Sequence, residues 1–532
     1  MLRLTNTLGR TGARGVTSLA HLVDLDVGKA HSRERKTKII CTIGPASDSP
    51  STIRLLLEAG MNVMRLNCSH GSHEHKAEVI AELRSAISEL REDGMTPDFS
   101  DGSNEEMCAI ALDTKGPEVR TGPLPPGVDG IPIATHATVT LSTKEDTVCS
   151  ADKIFLDYPT FADEIGPGQV VFVDDGLIEL VVVDTNPEEG SVETRVVAGG
   201  ILGGHKGVNL PNADLELPAV TDIDRADLAF AAQQGVDMVF ASFIRSAEDV
   251  AEVRAALGED GKDIQVISKI ENMRGVENFD EILAVSDGIM VARGDLGIEV
   301  PASKVFLAQK MIIAKCELAA KPVITATQML ESMVSAPRPT RAEVSDVGNA
   351  VVDGTDAVML SGETAKGEFP LEAVKIMGKI CQEAETVIDY TTLARDIALH
   401  HAAFEERLVE CSNGAHNVSA ASDAISAAAS LASSSVKASA IVVLSESGHT
   451  ARDVARFRVP VPIIAVTQSD TVARQLNLSR GIFPVLSSTS EMGRMREIGV
   501  EFGKVLGLLE DGDGVVVVDA PLGDVAVSIH TV

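Results

Sequence analysis

No apolar run in this 532-residue chain approaches the roughly eighteen residues that a membrane-crossing helix needs, so nothing in the sequence reads as a span. Basic residues are scarce. Lys and Arg number 46 against 78 Asp and Glu, giving a formal net charge of −32. That excludes a nucleic-acid partner, whose phosphates want a basic footprint. Any phosphate bound here is held by a local cluster of Arg and Lys or by metal ions, against the global field. The rest of the acidity reads as a well-solvated surface. The seven cysteines are odd in number and include no CxxC pair, which points to free thiols in a reducing compartment. Tryptophan is absent altogether.

What is present is the material of a globular protein: 44% apolar residues, a mean hydropathy of +0.13, and enough length for three or four domains. Residues 1–23 carry Arg3, Arg10 and Arg14 with Ser and Thr and no acid, a bias seen in organelle presequences, but the stretch is short and only weakly amphipathic. The expected location is cytoplasmic.

Eight apolar, β-branched runs stand out, at 38–43, 61–66, 107–112, 237–241, 264–268, 288–292, 322–326 and 356–360. Most are separated by amphipathic helical stretches, such as 51–58, 74–90, 303–319 and 341–352. Eight βα units predict an α/β fold of the (β/α)8 TIM-barrel type, with active-site groups at the carboxyl ends of the strands. One gap is anomalous, because about 120 residues separate the third run from the fourth, where a crossover needs only a helix. Residues 116–218, rich in Val, Gly, Pro, Asp and Thr with alternating apolar positions, read as a small β-barrel domain inserted on one loop, placed to act as a lid. After about residue 388 the pattern becomes a helix at 415–434, strands at 438–444, 462–466 and 514–519, and helices between them, which suggests an open α/β domain. The expected division is an N-terminal extension and helix at 1–36, a barrel at 37–115 and 219–388, the lid at 116–218 and a C-terminal regulatory domain at 389–532.

In a barrel all eight strand ends face one pocket, so the residues that end the runs belong together. Strand two supplies Arg65, Asn67, Ser69 and His70, and strand three Asp113, Thr114 and Lys115. Strand five supplies Lys269 and Glu271, strand six Arg293, Gly294 and Asp295, strand seven Thr327 and Gln328, and strand eight Ser361 and Glu363. This set is richer in charge than stability needs. Glu271 and Asp295 offer two oxygen ligands for Mg²⁺, with water and substrate completing the octahedron. Lys269 suits the neutralisation of a phosphoryl group in flight. Gly294 and Asp295 lead into a turn or short helix whose N–H groups suit a carboxylate. Asn67, Ser69, Asp113 and Thr114 are oxygen donors with one negative charge between them, a set that fits a monovalent cation; ordinary turn capping is the other reading. Cys68 reads as core packing, and Thr340 with Glu343 as a capping box.

Several stretches also resemble a known family. MNVMRLNCSHG at 61–71, LDTKGPEVRTG at 112–122, ISKIEN at 267–272, MVARGDLG at 290–297, ATQMLESM at 326–333, PRPTRAE at 337–343 and MLSGETAKG at 359–367 closely resemble the signatures of pyruvate kinases, in the family's order. The resemblance implies transfer of the phosphoryl group of phosphoenolpyruvate to ADP, giving pyruvate and ATP in the last step of glycolysis, with Mg²⁺ and K⁺ as cofactors and a homotetrameric assembly. It implies that Arg65 and Lys269 contact the phosphoryl group, that Lys269 stabilises the transition state, and that Glu271 and Asp295 hold Mg²⁺. The amides of Gly294 and Asp295 would receive the carboxylate, and Thr327 would lie where the enolate is protonated. Asn67, Ser69, Asp113 and Thr114 would bind K⁺. Asn67, His70, Arg120 and Lys206 would line the nucleotide site. Two rival readings stay open: another phosphoenolpyruvate or pyruvate barrel enzyme, and a catalytically inactive metabolite sensor on the same scaffold.

Glu118 stands where K⁺-independent members of the family carry a lysine, so a K⁺ requirement is expected. The loop from Ser445 to Thr450, between a strand and a helix, matches the family's sugar-phosphate activator site, with Ser445, Ser447, Gly448 and Thr450 as candidate ligands. Glu446 puts a negative charge there, and the tail LEDGDGV at 509–515 lacks the Trp and Arg that many activated members use for a second phosphate. These argue against fructose 1,6-bisphosphate and leave a monophosphate effector, or none.

Overall fold

A computed structural model describes residues 19–28, 34–92, 108–211, 217–412, 420–519 and 526–532. Arg3, Arg10 and Arg14 lie outside the described residues, as do the first residues of the helix expected at 415–434, which is seen as Ala420–Val436.

Eight parallel strands close into a barrel. They are β1 (Lys38–Thr42), β2 (Val63–Asn67), β3 (Ala109–Asp113), β4 (Met238–Ala241), β5 (Gln265–Ile270), β6 (Gly288–Ala292), β7 (Val323–Ala326) and β8 (Ala357–Leu360). Each matches an apolar run in the sequence to within two residues. Alternation along a strand sends every second side chain inward. Ile40, Val63, Ala109, Ala111, Met238, Phe240, Ile267, Met290, Ile324 and Met359 accordingly form one buried cluster inside the barrel. The opposite faces pack under the surrounding helices in a larger core. The helices begin where short polar side chains cap them: Ser49 accepts from the Thr52 amide ahead of Pro50–Glu58, and Thr340 and Glu343 form the expected capping box on Arg341–Asp353.

Between β3 and β4 a separate seven-stranded sheet runs from Val119–Arg120 to Lys153–Phe155. Its two edge strands meet at a bridge between Thr121 and Leu156, so it closes on itself. Its alternating strands bury Val171, Val173, Ile178, Leu180, Val182, Val192 and Val196 in its own core. The chain leaves the eight-stranded barrel at Gly116, where φ is +73° and an added Cβ would sit 2.7 Å from the Phe243 ring. It returns at Leu217, whose carbonyl accepts from Arg245 at 2.7 Å.

The C-terminal sheet has five strands in the order Ile482–Leu486, Ile463–Thr467, Ala440–Leu444, Gly514–Asp519 and Ala526–Thr531. The first four are parallel and the last antiparallel. The two outermost strands are additions to the sequence-based reading. One residue of this part, Leu478, is fully buried in the interior cluster of the eight-stranded barrel.

Candidate active site

The alternation that fills the barrel also builds its mouth. Arg65 and Asn67 follow Val63 on the inward face of β2, and Asp113 follows Ala109 and Ala111 on β3. Lys269 and Glu271 follow Ile267 at the end of β5. Asn67 and Asp113 are register partners, and Phe240 is the partner of Asp113 on the other side.

Asp113 is the hub. It is fully buried, and its carboxylate accepts from Arg65 Nε at 2.7 Å and from Lys269 Nζ at 3.0 Å. Burial pushes its carboxyl up, but Arg65 and Lys269 outweigh this and hold it below the usual range. Arg65 also donates to Thr42 Oγ1 at 2.8 Å, which fixes the plane of the guanidinium. Lys269 reaches Ser242 Oγ at 2.6 Å and Glu271 Oε1 at 3.1 Å. Burial works against its charge, yet Asp113 and Glu271 raise its ammonium above the ordinary lysine value. It is therefore a fixed cation at neutral pH. Ser242 also donates to the Thr114 carbonyl at 2.7 Å.

Glu271 and Asp295 are different. Burial raises both carboxyls and Lys269 pulls each down; Asp295 and Asp113 push Glu271 up further, while the lid residues Glu118 and Asp175 push Asp295 up and a hydrogen bond with Glu271 pulls it down. Two carboxylates, Glu271 buried and Asp295 half-buried, with too little positive charge between them form a set that a hard cation completes. Among the described residues no group of three His, Cys, Asp or Glu side chains gathers at one point. A metal held here therefore takes most of its ligands from substrate and water.

β6 runs directly into the short helix Arg293–Glu299, whose start has no side-chain cap, leaving the first amides, at Gly294 and Asp295, without one. Thr327 has φ +74° and Gln328 +55°. Gly294 fits closely against Thr327: a Cβ there would lie 2.9 Å from Thr327 Cγ2. Arg293 holds this bend from behind, donating to the Thr327 carbonyl at 2.8 Å and the Ala326 carbonyl at 3.1 Å, and forking onto Asp346 with two bonds of 2.7 Å.

The lid stands over this mouth. A cavity of about 650 Å³ between lid and barrel is lined by Glu118, Asp175 and Asn209 from above and by Arg245, Asn272 and Asp295 from below. Asn209 bridges the two with a 3.1 Å bond to Glu299. In the lid Arg120 is paired with Glu118, and Lys206 with Asp174 at 2.9 Å.

Three groups stand out among the sequence-derived candidates. Arg65, Asp113, Lys269 and Glu271 share one hydrogen-bonded cluster, with Asp295 close enough to act on its charges. Asn67, Ser69 and Thr114 sit at the ends of β2 and β3, where Asn67 Oδ1 accepts from the Ser69 amide at 3.0 Å and Ser242 donates its amide to Thr114 Oγ1 at 3.1 Å. Ser445, Ser447, Gly448 and Thr450 lie elsewhere, beyond the end of Ala440–Leu444 at the start of helix His449–Arg456, which also has no side-chain cap. Glu363, a strand-end carboxylate, is buried and accepts from the Leu330 and Ser361 amides, so it braces loops. Cys68 is half-buried and free, and burial, with Asp227 adding to it, pushes its thiol up. Sequence reasoning missed Ser242. Its one signal was spacing, since it continues Met238 and Phe240 on the inward face of β4.

Profiles of known families match both parts of the chain: "Pyruvate kinase, barrel domain" over residues 34–374 and "Pyruvate kinase, alpha/beta domain" over 423–526. Pyruvate kinase PKLR of Homo sapiens is 47% identical over 514 residues, covering 94% of this chain and 85% of that protein. Pyruvate kinase of Schizosaccharomyces pombe is 45% identical over 498 residues, 92% of each chain. That of Leishmania mexicana is 43% identical over 512 residues, 95% of this chain and 97% of the relative. With both domains matched and relatives this similar along nearly its whole length, the chain belongs to the pyruvate kinase family.

Proposed function

We propose that the chain moves a phosphoryl group from phosphoenolpyruvate to ADP, giving pyruvate and ATP, with Lys269 as the group that stabilises the phosphoryl in flight. The observation that carries this reading is the Lys269 ammonium itself: buried, charged, and aimed by three oxygen partners at the mouth of a closed barrel. The P–O bond to the enol breaks, a P–O bond to the terminal phosphate of ADP forms, and the enolate takes a proton at carbon. Lys269 and Arg65 offset the charge spread over the equatorial oxygens. Both are fixed by Asp113, so little reorganisation is needed as that charge develops. The Gly294 and Asp295 amides receive the substrate carboxylate, and Thr327, pinned by its bent backbone, stands on the side where the enolate is protonated. Glu271 and Asp295 would hold Mg²⁺, which when bound supplies charge neutralisation between substrate and phosphate. Asn67, His70, Arg120 and Lys206 line the nucleotide side.

Lys269→Met should leave the fold intact and lower kcat about 10³-fold or more in a coupled assay of ADP-dependent pyruvate formation. Activity within tenfold of the parent would remove Lys269 from its role. No ADP-dependent pyruvate in the parent itself would favour the metabolite-sensor reading.

A K⁺ requirement is part of the proposal. Asn67, Ser69, Asp113 and Thr114 supply the oxygens, and Glu118, held by Arg120, adds negative charge facing Asp295. Turnover should fall sharply when K⁺ is replaced by a tetraalkylammonium ion, and Glu118→Lys should recover part of it. Undiminished turnover without K⁺ contradicts the assignment.

Homotetrameric assembly is supported by Phe306, Leu307 and Val344, large apolar side chains left exposed on two helices flanking β7. A monophosphate at Ser445, Ser447, Gly448 and Thr450 is supported by the uncapped start of the helix that follows. The free thiols fit a cytoplasmic location, and no helix among the described residues is long and apolar enough to cross a membrane.

A further inference from the structure

Below the catalytic barrel, at the amino-terminal ends of its strands, lies a second cavity of about 510 Å³, between the barrel floor and the C-terminal part. That volume is in the range of small-molecule sites, and nothing in the phosphoryl-transfer reaction uses it. Its charged lining is unevenly paired. Arg456 takes both Glu405 and Asp423. Asp453 accepts from Ser422. Asp287 accepts from Arg254 and from the Val266 amide, each at 2.8 Å. Two cations are then left over. Lys321 donates only to the carbonyls of Leu283 and Ala284, at 2.6 and 2.9 Å, and Arg452 makes one long bond of 3.4 Å to the Ser447 carbonyl. Among the described residues neither has a carboxylate within ion-pair distance. Arg456 Nε, in a residue 3% exposed, is buried with no partner.

Unpaired cations in a half-closed site are costly, and in a chain of net charge −32 acids to neutralise them are abundant. Burial lowers the Arg452 guanidinium, and it pushes the Lys321 ammonium down to about 8, with Asp287 opposing it in each case. An anion would relieve both. The other walls are small: Ala247, Ala251, Ala284, Ala319 and Ala320 leave space for a carbon skeleton beside the charged end. We propose that this cavity binds a small phosphate monoester, its dianionic head between Arg452 and Lys321 and its carbon skeleton against the alanine wall. Two separate cations match a dianion better than a single carboxylate, and the space exceeds what inorganic phosphate fills. The site differs from the Ser445–Thr450 loop, sharing His449 with it and meeting the Ser447 carbonyl through Arg452. Occupancy joins helix His449–Arg456 to the segments entering β6 and β7, whose far ends carry Asp295 and Thr327.

Isothermal titration of the full chain tests this without reference to catalysis. The probes are glucose 6-phosphate, ribose 5-phosphate and 3-phosphoglycerate, with glucose and inorganic phosphate run separately. At least one ester should bind in the micromolar to millimolar range, glucose should not, and inorganic phosphate should bind more weakly than the ester. Arg452→Met and Lys321→Met should each weaken ester binding at least about tenfold. Ala251→Leu, on an exposed helix position facing the cavity, should do the same by filling it while leaving thermal unfolding and basal kcat unchanged. The double variant Ser445→Ala/Thr450→Ala should leave binding within about twofold. No binding by any ester at millimolar concentration overturns the proposal. So does binding that survives Ala251→Leu and is lost in the Ser445→Ala/Thr450→Ala variant, which would put the phosphate on the loop.

Discussion

Thr327 is β-branched and sits in the left-handed region, a conformation that costs of order 1–3 kcal/mol. Arg293 offsets that cost. Its guanidinium grips the carbonyls of Ala326 and Thr327 and is itself oriented by the fork onto Asp346. Asp346 is half-exposed, so the pair adds only modest stability; its use is to aim Arg293. Asp346→Asn should lower kcat about fivefold, or about 1 kcal/mol in the barrier, with KM for ADP unchanged. A parental kcat would show that Thr327 holds its position unaided. At this scale the sequence was legible where a charged side chain interrupts an apolar run, as Lys269, Glu271 and Asp295 do. Ser242 was not, because a serine after Ala241 resembles any loop residue until Phe240 is known to point inward. Nor was the grip of Arg293, which depends on Asp346 53 residues away.

Helix Arg341–Asp353 starts where the sequence placed it, because its capping box is a local device. Glu343 does more than close that box. It accepts from the amide and hydroxyl of Ser332 at 2.7 and 2.6 Å and from those of Thr340 at 2.7 and 2.8 Å. Burial pushes its carboxyl up, and these bonds outweigh it and hold it below the ordinary range. The sign follows. With its folded value depressed, Glu343 contributes stability above the unfolded value of about 4 and loses it as pH falls further. Glu343→Gln should therefore cost about 1 kcal/mol at neutral pH, and the gap to the parent should narrow below about pH 4. Denaturant midpoints at the two pH values check this, and a gap independent of pH would speak against it. Ile482–Leu486 escaped the sequence reading because Pro484 interrupts its apolar run. A proline cannot donate to a ladder, but this strand is at the sheet's edge and needs no bond on its outer side. Ala526–Thr531, the opposite edge, alternates with Val527 and Ile529 on one face, but it is short and only partly covered, Ile529 being left exposed.

Across the whole molecule, the C-terminal part is bolted to the barrel floor by charge and by one apolar plug. Arg458, 5% exposed, donates to Glu317 at 2.7 Å, to both oxygens of Asp356 at 2.9 and 3.1 Å, and to the Gly354 carbonyl. Arg474 reaches Asp237 at 2.8 Å, and Lys38 reaches the Ile482 carbonyl at 2.6 Å. Leu478 enters the bottom of the barrel's interior cluster. Arg458→Met would leave Glu317 and Asp356 buried without their cation, at about 3–5 kcal/mol. Thermal unfolding of that variant should begin lower and separate into two transitions as the C-terminal part uncouples. One transition at the parental temperature would mean that the bolt is redundant.

The sequence by itself determined the eight barrel strands, several helix starts and most of the charged groups at the mouth, because alternation, caps and abrupt ends of apolar runs act over a few residues. It determined the family as well, through long motifs in a fixed order. Only the tertiary structure decided that Asp113 serves Arg65 and Lys269 at once, that Arg293 braces Thr327, and that Lys321 and Arg452 face one cavity without acids of their own. Each of those pairings joins residues far apart in the chain, and side-chain direction at a strand end or helix face is settled only when the barrel closes and the C-terminal sheet docks beneath it.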